Sequence, residues 1–292
     1  MNYLFSLIFL SLMLTACNNA AKEPAAVNTN EALSAPVEHT LEKKWETDTV
    51  LKVPESVLFD GGRQVLYVSN IDGEPWAADG KGSVGKLGLD GTIINADWVT
   101  GLNAPKGLGM FGGRLYVADL TDLVVIDIAK GAIEKKIVVA GAEGLNDVTV
   151  DKQGVVYVSD SKQKKIFRIE NDQPQLFLDS LQGPNGVLAR GDDFFILDKG
   201  ALYKVGSDKS LTKIADGMEG GTDGVENVEG NDFLVSCWSG TIWYVSENGS
   251  KQLLLDTSKE QKNTADIGFD PVSKTVYVPT FFKKSVVAYA VK

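Results

Sequence analysis

Histidine and cysteine are almost missing from this 292-residue chain, which holds one of the first, His39, and two of the second, Cys17 and Cys237. That scarcity excludes the usual zinc sites, which need His or Cys ligands, and leaves no histidine base in any domain beginning after His39. If Cys17 is used elsewhere, Cys237 is the only thiol and no internal disulfide forms. Basic residues are outnumbered, and a net charge of −10 has the wrong sign for a protein that grips nucleic-acid phosphates. The 3.6-residue periodicity of amphipathic helices is also absent, which excludes helical solenoids.

The apolar run Tyr3 to Leu14 is short of the roughly 20 residues that span a bilayer as a helix, but it has the length of a signal-peptide core. The Leu14-Thr15-Ala16-Cys17 that follows resembles a bacterial lipobox, although only Asn2 stands where a lysine or arginine normally precedes the core. The resemblance implies a signal peptide over 1–16 and lipidation of Cys17. It also implies an anchored place at the bacterial cell envelope, periplasmic or surface-facing. Residues 17–44 supply Ala, Asn, Glu, Pro and Thr with no aromatic, too little apolar surface to offset the entropy of ordering, and read as a disordered tether that includes His39. Residues 45–292 suffice for one large domain with a full core, expected to be monomeric.

Within that domain a strand-like motif recurs: Leu66-Tyr67-Val68-Ser69-Asn70, Leu115-Tyr116-Val117-Ala118-Asp119, Val156-Tyr157-Val158-Ser159-Asp160, Phe194-Phe195-Ile196-Leu197-Asp198, Phe233-Leu234-Val235-Ser236-Cys237 and Val276-Tyr277-Val278-Pro279-Thr280. Each is β-branched and aromatic, and each follows a Gly, Asn or Asp turn such as Gly112-Gly113 or Gly230-Asn231-Asp232. Further short strands follow, such as Ile166 to Ile169 and Gln175 to Leu178. Four strands in a period of about forty residues predict an all-β fold, a six-bladed β-propeller with four-stranded blades. The last unit, Ala265 to Lys292, has room for only three strands. Trp45 to Val53 is therefore predicted to supply the fourth and close the ring.

In a propeller the first strand of each blade lines a central channel. Reading the starts of those strands gives Glu55, Lys106, Asn146, Asn185, Asp223 and Asp266, each polar where the following residues turn apolar. Four of these, Glu55, Asn146 in Gly144-Leu145-Asn146-Asp147, Asn185 in Gly183-Pro184-Asn185-Gly186, and Asp223 in Thr222-Asp223-Gly224, make the chain resemble the senescence-marker-protein/gluconolactonase family. Paraoxonase and diisopropyl-fluorophosphatase are related propellers. The resemblance implies a catalytic divalent cation, usually calcium, held by one Glu, two Asn and one Asp from separate blades. Two carboxylates and two amide oxygens form a hard site of formal charge −2, which suits calcium rather than zinc.

The resemblance further implies hydrolysis of a lactone or related ester, with Asp223 as base or nucleophile and a small molecule as substrate. Two departures limit it: the domain has no histidine for paraoxonase-like chemistry, and Glu143-Gly144-Leu145 offers no counterpart to the family's substrate-gripping arginine. Asp147 is expected behind the ligands, orienting one of them or joining a second calcium. Lys106 and Asp266 are expected in the channel, with a salt bridge between them as one option. Cys237-Trp238 reads as core and rim, and Asn70 to Gly82, with Trp76, as a lid or docking loop. The alternative reading is a non-catalytic envelope propeller that binds a ligand or protein and uses a metal structurally.

Overall fold

Six four-stranded antiparallel sheets follow the six repeats in the computed structural model, which describes residues 38–292. The expected signal peptide, Cys17 and the expected tether up to residue 37 lie outside the described residues. Among the described residues no helix is long and apolar enough to cross a membrane.

Blade one runs outward through Pro54–Asp60, Val65–Asn70, Gly82–Gly88 and Ile93–Leu102. The next four blades repeat the plan and begin at Pro105–Phe111, Leu145–Val150, Pro184–Arg190 and Thr222–Asn227. Blade six takes Gly268–Asp270, Thr275–Pro279 and Val286–Val291 from the end of the chain, and its outermost strand, Leu41–Glu46, from the beginning. The ring closes as predicted, but with an earlier segment than Trp45 to Val53. Leu41 pairs with Val291 and Glu46 with Val287 across a bulge between Lys43 and Trp45. An outer strand has a solvent-facing side, so Glu42 and Lys43 can sit on it exposed and still pair, while Lys44 is the exposed residue of the bulge.

The folded unit takes in residues before Trp45, part of the expected tether. His39 belongs to the folded unit: its amide donates to Gln252 Oε1 at 2.9 Å, Gln252 Nε2 donates back to its carbonyl at 2.7 Å, and its ring stacks 3.7 Å from Tyr244. It lies against the two outer strands of blade five, on Tyr244 and Gln252, and not among the channel residues.

The core lies between blades rather than in one mass. Tyr67, Leu102 and Leu115 pack between blades one and two, Phe195, Phe233 and Val235 between four and five, and Leu51, Leu66, Tyr277 and Ala288 across the closure. Such clusters form because both faces of each sheet are covered by its neighbours, which also explains the near-continuous apolar second strands. At the centre the first strands approach closely. A Cβ on Gly107 would stand 2.5 Å from the Asp147 Cα, and one on Gly186 2.5 Å from the Asp223 carbonyl oxygen. Blades six and one meet through a parallel bridge, with the Asp266 amide donating to the Glu55 carbonyl at 2.9 Å and the Val57 amide to the Asp266 carbonyl at 3.2 Å.

Candidate functional site at the channel mouth

The ring residues leave the β-ladder in the same way in five blades. Pro54 pairs with Asn70, yet the next partners are Val57 and Val68; the same skip separates Pro105 from Leu108, Leu145 from Val148, Pro184 from Val187 and Thr222 from Val225. Each skip is a bulge of one extra residue, which turns a side chain away from the sheet and toward the channel. Buried serines accept the amides this frees: Ser69, Ser159 and Ser236 Oγ take the amides of Ser56, Asp147 and Gly224, each at 2.9 Å.

Glu55, Asn146 and Asp223 are buried, and Asn185 is half-buried beside them. Asn185 Nδ2 donates to Asp223 Oδ1 at 2.8 Å. Asn146 Nδ2 donates to Ser161 Oγ at 2.9 Å, and that hydroxyl in turn donates to the Pro184 carbonyl at 2.8 Å, fixing the amide between blades three and four. Asn146 and Asn185 share one mouth cavity of about 310 Å³ with Ser161, Lys199 and Thr222. Glu55 Oε2 and Asn185 Oδ1 are buried and accept no hydrogen bond among the described residues.

The charges are equally unresolved. Burial pushes the Glu55 carboxyl well above the ordinary range; Lys106 opposes this and the charges of Asp223 and Asp266 add to it. Burial, then the Asp266 charge, pushes Asp223 up to about 8 against the pull of Lys106 and the Asn185 bond. Two orphaned oxygens and two carboxyls held against ionisation are what a hard divalent cation would relieve. The donors Glu55, Asn146, Asn185 and Asp223 therefore fit such an ion. Because two of them are amides, no metal-holding group of three or more His, Cys, Asp or Glu occurs among the described residues.

The remaining channel residues divide between the two ends. Asp147 spends both oxygens on backbone, accepting from the Val148 and Val187 amides at 2.7 Å each, and so straps blade three to blade four. Asp266 accepts from Ser56 Oγ and is pushed up to about 6 by burial, with Ser56 and Asp147 opposing. Both line a second cavity of about 220 Å³ at the far end, together with Glu226, an acid the sequence did not single out. Burial and the Asp266 charge push Glu226 well up.

Lys106 and Asp266 form no salt bridge. Lys106 turns to the mouth, its ammonium 4.4 Å from the centre of the Trp76 ring, while Asp266 faces Ser56. Sequence reasoning also missed Ser161 and Lys162. They follow the second strand of blade three, and loops between second and third strands return to the face where first strands begin, a signal that only the blade topology makes readable. Cys237 is buried, with its thiol pushed up to about 11 by burial, and Trp238 packs on Phe281 and Phe282 at the rim.

No protein-family model matches the sequence, and no curated protein matches it. Solved structures do. The chain superposes with a TM-score of 0.65 on a protein provisionally named a gluconolactonase, at 14% identity over 88% of this chain and 93% of that one. Virginiamycin B lyase from Staphylococcus aureus gives a TM-score of 0.59 at 14% identity over 87% and 99% of the two chains. A chain of a nidogen/laminin complex gives 0.59 at 18% identity over 74% and 84%. At such identities the likeness establishes the propeller fold alone.

Proposed function

We propose that this propeller hydrolyses lactones or related esters at its channel mouth, using a divalent cation, calcium by its donors, held by Glu55, Asn146, Asn185 and Asp223. The observation that carries the reading is the pair of buried, unpartnered oxygens, Glu55 Oε2 and Asn185 Oδ1, beside an Asp223 carboxyl pushed up to about 8. A bound cation polarises a carbonyl oxygen and acidifies water. Asp223, oriented by the Asn185 amide, takes the proton of the attacking water as oxygen adds to the carbonyl carbon. It returns that proton to the ring oxygen when the carbon–oxygen bond breaks, leaving a hydroxy acid. Burial of Glu55 and Asp223 keeps bulk water from screening these charges. The fold shared with a provisionally named gluconolactonase supports this reading. In the same proposal Cys17 carries the lipid and the monomer works at the cell envelope on a small molecule.

The test combines binding and turnover. Calcium should raise the melting temperature relative to chelator, and Asp223→Ala should lower hydrolysis of a lactone panel by about a hundredfold or more, the scale of a lost general base. No calcium shift together with no turnover by the native protein would remove the proposal.

A further inference from the structure

Trp76 stands over the channel mouth, 37% exposed, with two ammonium groups on its ring: Lys106 Nζ 4.4 Å and Lys162 Nζ 4.3 Å from the centroid. Lys106 is 3% exposed, yet among the described residues its nitrogen makes no hydrogen bond or ion pair. Gly144 lets the group close up, since a Cβ there would meet Lys162 Cγ at 2.7 Å and Trp76 Cζ3 at 3.0 Å. The indole is thus shared by two like charges drawn from blades two and three, beside the oxygens of Glu55 and Asp223. An indole face weakly attracts each cation but does nothing for their mutual repulsion.

We propose that Lys106, Trp76 and Lys162 form an anion subsite that takes a carboxylate carried by the substrate, so that the preferred lactone or ester is an acidic one. The proposal rests on the cation site described above. Without a metal, Lys106 supplies a positive charge to Glu55 and Asp223 at longer than ion-pair range. Once a divalent cation balances those two carboxylates, both ammonium groups are surplus, and a ligand carboxylate between them is the complement. The subsite lies beside the reacting centre rather than on it, so it recognises a second acid group and not the carboxylate that ring opening creates. The indole offers an apolar face to the carbon frame of such a ligand.

A matched pair of ligands tests this: 5-oxotetrahydrofuran-2-carboxylate and its neutral carboxamide, titrated calorimetrically and by tryptophan fluorescence, with millimolar calcium and with chelator. The native protein with calcium should bind the carboxylate roughly tenfold or more tighter than the carboxamide, and added salt should shrink that preference. Lys106→Met should abolish it. Lys162→Met, at an exposed position, should cut it several-fold, and Lys86→Met, a lysine over a different tryptophan, should leave it intact. Equal affinities, no measurable binding of either ligand, or a preference surviving both Lys106→Met and Lys162→Met would overturn the subsite. Turnover without charge preference removes the subsite and leaves the hydrolase, whereas carboxylate-selective binding without turnover on the panel does the reverse.

Discussion

The Asn185 amide donates to Asp223 Oδ1 at 2.8 Å, tying blade four to blade five at the mouth while its own Oδ1 stays buried without a partner. In the proposed site this one side chain would both orient the candidate base and offer an oxygen to the cation. Asn185→Ala removes both functions. It should sharply reduce the calcium-induced rise in melting temperature, whereas the chelator-treated variant should melt within a few degrees of the native protein, the loss of about one hydrogen bond.

Acidity should stabilise the metal-free protein. The folded carboxyls of Asp223 and Asp266 are raised to about 8 and about 6, above the ordinary value near 4, so the folded state binds more protons than the unfolded one across that window. Their contribution is complete below about pH 4 and is lost as pH rises through 6 and 8. Melting with chelator should therefore fall from pH 5 to pH 8. Calcium should flatten the slope, and Asp223→Asn should remove its upper part.

Ser161 offers no donor to the cation but holds Asn146 against the Pro184 carbonyl. Ser161→Ala should cost about 2 kcal/mol of stability, the value of the two half-buried hydrogen bonds it removes. It should also weaken calcium binding measured by calorimetry, because the Asn146 amide is no longer held.

Trp45 fastens the closing strand. Its Nε1 donates to the Leu89 carbonyl at 2.9 Å, its ring lies 5.8 Å from Tyr277, and Gly91, at φ +87°, gives it room. Trp45→Ala should lower stability by roughly 2–4 kcal/mol in urea unfolding, below the full cost of a buried tryptophan because the side chain is half-exposed.

Cys237 should ignore thiol reagents in the native protein, since burial raises its pKa to about 11, and should react fully on unfolding. Rapid native labelling would show that blade five opens locally.

The repeat was legible because second strands such as Leu66 to Asn70 are covered on both faces and must be apolar throughout. The ring positions were legible because each precedes an apolar run and, in three blades, a glycine that admits the neighbouring strand. The closing strand was misplaced because Glu42, Lys43 and Lys44 look like tether when solvent covers one face of an edge strand. Lys162, Ser161 and Glu226 carry no periodic mark. Their placement depends on which end of the channel a loop or strand reaches.

The sequence by itself determined the number of blades, the polar ring and the donor types, since these follow from local pattern and from chemistry that each residue carries wherever it sits. Only the tertiary structure decided which groups remain unsatisfied: that Asn185 turns its amide to Asp223, that Glu55 Oε2 finds no donor, and that Lys106 abandons Asp266 for Trp76. Hydrogen-bond partners and desolvation arise from residues far apart in the chain meeting at one axis, and no local pattern records that meeting.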